Sequence, residues 1–331
     1  MSSKVTNGVK QGGVLSPLLF TVYIDELLLG LKNSSYGCHI GHIFCGALGY
    51  ADDVVLLAPT ASALRKMLHI CEEYSSKYNV TFNTSKTKLI VCTPDQSHYH
   101  PDIKLEGQSI DETKSEKHLG YPIGNITQGE IMQQAINDFL IKVNMVKSHF
   151  KLLPHDIMYN LLKTYCMPLY GSPLWDYSAK EVDRFYTTWR KAIRNILYLP
   201  NTTYKNLLHL ICSDIPVKEQ LYLHFISFYR NLINSENILT NLCARLAEAG
   251  SGSCVSNSVT VIAEHVKIAR HHLCKYQHNY ENLTDEGDTQ VTASIIRDLL
   301  YIRYMYLFVP PDTFLLNLDE CKFAIYSLCT I

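Results

Sequence analysis

Apolar positions follow two regimes along this chain of 331 residues. Up to about residue 125, short continuous apolar runs alternate with segments of three-and-four spacing. Beyond about residue 128 the three-and-four spacing holds almost throughout. In the first regime, Ser16-Pro17 reads as an N-cap followed by proline at the first helical position. The apolar segment Leu18 to Leu31 then predicts a mostly buried helix ending near Gly30. Two apolar runs follow, Cys38–Leu48 and Val54–Ala58, interrupted by Tyr50-Ala51-Asp52-Asp53. The continuous run Val54-Val55-Leu56-Leu57, β-branched at its start, suits a buried strand. Leu64, Met67, Leu68, Cys71, Tyr74 and Tyr78 give residues 61–78 one apolar helical face. Strands are expected at Val80–Phe82 and Thr87–Cys92, around Asn83-Thr84-Ser85-Lys86. Shorter ones are expected near Ile103–Leu105 and Lys117–Pro122 within a turn-rich stretch.

In the second regime, helices are predicted over 129–151, 154–170, 179–198 and 216–234, punctuated by Pro154, Pro173, Pro200 and Pro216. Further helices are expected at 259–278, 290–307 and 318–328, with a Gly/Ser-rich linker near 250–258 and a second polar break over 279–289. The fold class is therefore α+β followed by all-α. The expected domains are 1–125, a helical 126–235, and a helical C-terminal extension over 236–331.

Composition narrows the class. Apolar residues make up 47% and charged residues 18% of the chain, as in a soluble globular protein. No run of about 18 uncharged apolar residues exists, so no transmembrane helix is expected. The residues after Met1 do not resemble a signal peptide. Eleven scattered cysteines, never spaced C-x-x-C, fit reduced thiols in an intracellular protein better than a disulfide framework. The net charge of −1 hides a division. Residues 136–230 hold 12 Lys and Arg against 7 Asp and Glu, the one basic block, where a phosphate backbone would be favoured.

Asp52 and Asp53 are the leading chemical candidates. Adjacent carboxylates at the tip of a tight hairpin are held on rigid backbone and face outward, as a metal-assisted phosphoryl-transfer site requires. Such sites use two Mg²⁺ ions roughly 3.5–4 Å apart, held by few carboxylates plus substrate phosphates. In isolation an Asp-Asp pair is also ordinary turn chemistry.

The surroundings decide between these readings. Gly8-Val9-Lys10-Gln11-Gly12-Gly13-Val14-Leu15-Ser16-Pro17-Leu18-Leu19-Phe20 precedes Gly49-Tyr50-Ala51-Asp52-Asp53. Asn83-x-x-Lys86-Thr87 and His118-Leu119-Gly120 follow in order. With these motifs the chain resembles the reverse transcriptases of non-LTR (LINE-like) retrotransposons. The resemblance is strongest over residues 4–125 and weaker over 126–235, where Leu169–Trp175 also fits. It implies a partial polymerase palm, an antiparallel sheet with helices, followed by a helical thumb. It implies Asp52 as a metal ligand and Asp53 as a supporting carboxylate, with Mg²⁺ as cofactor. Gln11 and Gly12 would line the nucleotide and template pocket, Gly12-Gly13 letting backbone approach a ligand closely. Lys86 would sit near the triphosphate, and His118, Leu119 and Gly120 would form the primer-grip region. The implied partners are an RNA template, a DNA primer and deoxynucleotides, with no membrane.

Three further expectations follow. In the family another metal-binding aspartate, and the basic fingers, lie upstream of the Gln-Gly motif. The chain alone is therefore expected to show little or no polymerase activity. The alternative is a non-catalytic nucleic-acid-binding remnant, or a pseudogene product. Arg184, Arg190, Lys191 and Arg194, off the apolar stripe of the third helix, could track a phosphate backbone. His271, Cys274 and His278 share a helical spacing that could bind Zn²⁺, but read better as incidental surface residues.

Overall fold

A computed structural model describes residues 13–92, 101–150, 153–167, 169–203 and 216–265, single positions within 204–215, Arg270, Leu273, and the backbone of 324–330. The chain divides into two units, Met1–Ile126 with Phe314–Ile331, and Thr127–Thr313. Mixed helix and sheet in the first unit and helices in the second make the chain α+β.

In the first unit, α1 (Ser16–Ser34) and α2 (Ala61–Tyr78) share one core with the sheet. Ile24, Leu27 and Leu31 of α1 meet Leu64, Met67, Leu68 and Cys71 of α2. Helix α1 starts at Ser16 with no side-chain cap, and it runs past Gly30 to a left-handed Ser35 at φ 58°. A helical glycine costs about 1 kcal/mol. Burying Leu27 and Leu31 completely returns about 1.5–3 kcal/mol each, so the helix continues. Helix α2 has the bounds its periodicity predicted. Thr60 Oγ1 accepts the Ala63 N–H at 3.1 Å, and Asn79 closes the other end in the left-handed region.

Strands β1 (His39–Ile40) and β2 (Ile43–Phe44) form a small hairpin. The main sheet contains β3 (Ala47–Tyr50), β4 (Asp53–Ala58) and β5 (Lys88–Cys92). Next in chain order, β6 (Lys104–Leu105) pairs with β7 (Gln108–Ser109), β8 (Asp111–Glu112) joins the main sheet, and β9 (Ser115–His118) pairs with β10 (Tyr121–Gly124). The last strand is β11 (Ala324–Thr330). The five-stranded order is β3-β4-β11-β5-β8, antiparallel except for the β5–β8 edge. Strand β4 sends Val54, Leu56 and Ala58 into the shared core, and β5 sends Leu89 and Val91.

Further expectations fail here. Helix α1 is not mostly buried: only Ile24, Leu27 and Leu31 are buried, while Leu18, Leu19, Val22 and Leu29 are exposed. Val80–Phe82 is not a strand. The Val80 N–H donates to Ser75 O and Ser75 Oγ donates to Val80 O, so this backbone is satisfied by the end of α2 while Phe82 anchors in the core. The expected helix over 318–328 is instead strand from Ala324 onward. Ile325, Tyr326 and Thr330 favour extended backbone, and two strands with open edges supply partners that local periodicity cannot reveal.

The second unit contains α3 (Gln128–His149), α4 (His155–Cys166), a 3₁₀ turn (Ser172–Leu174), α5 (Lys180–Ile196), α6 (Val217–Ile233), α7 (Ile238–Ala249) and α8 (Cys254–His265). The first four helices follow the predicted apolar periods closely. A capping box, Thr127 with Glu130, opens α3. The stretch read as a linker becomes helix from Cys254, with Ser256 and Ser258 buried. The expected helix at 290–307, and most of 259–278 beyond His265, lie outside the described residues. No described helix is long and apolar enough to cross a membrane. The eight cysteines whose side chains are described form no disulfide.

The hub of this unit is the segment after the 3₁₀ turn. Trp175 packs 5.3 Å from Phe185, which lies 5.3 Å from Phe139 of α3. Tyr177 meets Tyr222 and Phe225 of α6 edge-on. Burial pushes the Tyr177 phenol well above its ordinary pKa, keeping it a neutral donor to Ser172 O. Ser258 of α8 ties the hub's backbone, donating to Trp175 O at 2.8 Å and accepting the Tyr177 N–H at 3.1 Å. Serine is required there because both backbone groups are buried. Ser258→Ala is expected to cost about 1–3 kcal/mol, measured as a lower urea midpoint; an unchanged midpoint would contradict this role.

Candidate functional site

The Tyr50-Ala51-Asp52-Asp53 segment is the two-residue turn between β3 and β4. Tyr50 pairs with Asp53 and Gly49 with Val54, leaving Ala51 and Asp52 at the tip. Ala51 is left-handed at φ 52°, a turn position that favours glycine. Asp52 is exposed, and Asp53, as the first residue of β4, is half-buried. The glycine has a packing reason: a Cβ at Gly49 would stand 3.1 Å from Leu28 Cδ1 of α1. The hairpin is thus seated against the core helix while its carboxylate tip faces solvent.

Lys86 lies at the same end of the sheet. Leu328 of β11 pairs with Val55 on one side and Lys88 on the other, so β4 and β5 run parallel in a common frame. Lys86 sits in the turn that precedes β5, at the end of the sheet where β4 begins with Asp53. Asn83 builds the turn that presents it. Its carbonyl accepts the N–H groups of Lys86 and Thr87 and the Thr87 hydroxyl, and its Oδ1 accepts from Ser85 Oγ and the Lys86 N–H. The Lys86 side chain is exposed and makes no hydrogen bond among the described residues. Lys88 by contrast is held by Asp111 at 2.7 Å, and its ammonium keeps that carboxyl below the usual carboxylate range.

His118, Leu119 and Gly120 form the tip of the β9–β10 hairpin. Leu119 at φ 50° and Gly120 at φ 80° give the two consecutive positive φ values of a tight turn. The hairpin is anchored beside β5, where Thr113 N–H donates to Leu89 O and Asn125 Nδ2 donates to Val91 O. His118 Nδ1 is buried and has no hydrogen-bond partner among the described residues. Gln11 and Gly12 lie outside the described residues, as do His271, Cys274 and His278. Among the described residues no three or more His, Cys, Asp or Glu side chains gather as a metal-binding group.

The basic residues of α5 separate in role. Arg184 donates to Gln133 of α3 and Arg190 to Thr187. Arg194 braces the following loop through two hydrogen bonds to Thr203 O. Lys191 and Arg194 line an open cavity of about 780 Å³ with Lys147 of α3, Asn195, Tyr198 and Asn201. Among the described residues the lining carries no carboxylate. Lys147 lies over the exposed Tyr198 ring, 5.4 Å from its centroid. Sequence reasoning missed Lys147 and Tyr198, because only the packing of α3 on α5 brings them together.

The sequence profile of the family described as reverse transcriptase (RNA-dependent DNA polymerase) matches residues 1–123. The curated relatives are retrotransposon proteins. The Pol polyprotein of the type-2 retrotransposable element R2DM of Drosophila melanogaster is 38% identical over 79 residues, 24% of this chain and 7% of that protein. The RNA-directed DNA polymerase of the mobile element jockey of Drosophila funebris is 27% identical over 119 residues, 34% of this chain and 12% of the relative. An R2 Pol polyprotein of Popillia japonica is 26% identical over 223 residues, covering 63% of this chain and 36% of its own length. The chain thus spans well under half of each of these relatives.

The left-handed Ala51 gives a direct test of the hairpin geometry. Ala51→Gly removes a Cβ cost of about 1–2 kcal/mol and loses part of it to unfolded-state entropy. A net gain of about 0.5–1 kcal/mol is expected in chemical denaturation. A lower midpoint would contradict the turn described.

Proposed function

We propose that this chain, a reverse-transcriptase sequence of the non-LTR retrotransposon kind over its first 123 residues, carries part of an RNA-directed DNA polymerase site. Residues 1–125 would be the palm portion, 126–235 a thumb-like helical region, and 236–331 a C-terminal extension whose strand β11 returns to the sheet of the first unit. The observation that carries this reading is the Asp52–Asp53 tip and Lys86 at one end of one sheet. Carboxylates and a cation there suit a nucleoside triphosphate and its metal.

The donor set fits Mg²⁺, a hard cation that takes few protein carboxylates and completes its shell with water and substrate phosphates. Asp52 and Asp53 would hold it. When bound, it would activate the primer 3′-hydroxyl and neutralise charge on the leaving pyrophosphate. Lys86 would pair with triphosphate charge, and the His118–Gly120 turn would support the primer strand. The substrates in this reading are an RNA template, a DNA primer and deoxynucleotides. Among the described residues no third carboxylate gathers with Asp52 and Asp53, so the chain is expected to extend primers slowly, if at all.

A second reading, nucleic-acid binding without catalysis, is favoured by the cavity around Lys147, Lys191 and Arg194, whose described lining is basic. The two separate experimentally. Asp52→Asn is expected to weaken Mn²⁺ binding, followed by its paramagnetic resonance, about tenfold or more, and to lower any template-dependent extension by about 10²–10³-fold. Unchanged metal binding and extension would remove the polymerase reading. Lys147→Gln with Lys191→Gln is expected to weaken primer–template binding and reduce the magnitude of its salt slope by about 1–2, with Asp52→Asn leaving it intact. Binding insensitive to the double lysine change would remove the second.

A further inference from the structure

Strand β4 and strand β5 do not pair with each other, although both are strongly apolar and buried. Between them the sheet has a slot one strand wide, filled by Ala324–Thr330 with backbone pairing along both edges. On the β4 side the pairing runs the full length of that strand, from Ala58 opposite Ile325 to Asp53 opposite Thr330. Asp53 is therefore held by Tyr50 on one edge and by the end of β11 on the other.

We propose that Ala324–Thr330 is the positioning strand of the Asp52–Asp53 hairpin, docking in cis into a strand-acceptor slot between β4 and β5. The β3–β4 pair closes over two residues. The β4–β11 pair closes over roughly 270, a larger loop-closure cost with no local turn to offset it. Long-range pairs of this kind form late and open early. The order of the aspartate hairpin is thus conditional on the far end of the chain. Without β11, β4 and β5 would each present an open edge of unpaired N–H and C=O groups. The proposal concerns the sheet alone and stands whether or not the aspartates bind metal.

The test uses the full chain. Val54→Cys places a thiol opposite Cys329 in the observed register. Directly opposed antiparallel residues have Cα atoms about 4.5–5.5 Å apart, within disulfide reach. Mild oxidation is expected to give a 54–329 linkage in the monomer, identified by peptide mapping. Linkage to Cys321, linkage between two chains, or no linkage would overturn the cis register. In parallel, Ser327→Pro removes an N–H at the centre of β11, where Ser327 stands opposite both Leu56 and Leu89. Hydrogen exchange is expected to speed up roughly tenfold or more at the alternate β4 amides facing β11, with α3 to α6 unaffected. Ser327→Thr, which keeps the N–H and favours strand, is expected to restore protection. Protection in Ser327→Pro equal to that of the unsubstituted chain would sink the proposal.

Discussion

Strand β4 must be paired on both edges, and most of the first unit is arranged around that requirement. Val54, Val55, Leu56 and Ala58 are buried, so their backbone groups are out of reach of water. A buried unpaired N–H or C=O costs about 1–3 kcal/mol, more than one residue's share of the stability of a small domain. One edge is served by β3 through a two-residue turn, and that turn leaves two carboxylates at the tip. The other edge is served from the opposite end of the chain. The core helices α1 and α2 pack on the strand so fixed, and Gly49 and Leu28 record how closely the hairpin is drawn onto α1.

The helical unit solves its own problem by different means. Its backbone is satisfied within helices, so the irregular link between α4 and α5 is where partners must be found. Ser172, Ser258 and Asp176 supply them. Asn257 Nδ2 donates to Asp176 Oδ2 at 2.7 Å, and the Ser172 hydroxyl lies 3.1 Å from His224 Nδ1. Aromatic side chains, edge-to-face or tilted, then fill the space around that link. Leu169–Trp175, noticed as a motif, is thus a packing device. The exposed consequence is the basic cavity where α3 meets the end of α5, which needs no special motif because it is made by adjacency.

Legibility differed by the range of the interaction. Helix α2 was readable to the residue because its cap, apolar stripe and left-handed terminus are all local. The Asp52–Asp53 turn was readable because apolar runs flank it on both sides, and its chemical meaning because the neighbouring motifs occur in order. The continuation of α1 past Gly30 was not readable, since the buried leucines that override the glycine find their partners on α2. Val80–Phe82 looked like a strand from composition, yet its hydrogen bonds go to the end of a helix.

The sequence by itself determined where most helices lie, where the aspartate turn sits, and which polymerase family the first 123 residues resemble. Each of these is written in periodicity, capping and contiguous motifs, which act over a few residues. Only the tertiary structure decided that residues 324–330 are a strand, that this strand fills the slot between β4 and β5, and that the Lys86 turn and Asp53 stand at the same end of that sheet. It also decided that Lys147 joins Lys191 and Tyr198 in one cavity. These depend on which segment meets which across large separations in the chain, and edge pairing is set by complementary open backbone rather than by any local pattern of side chains.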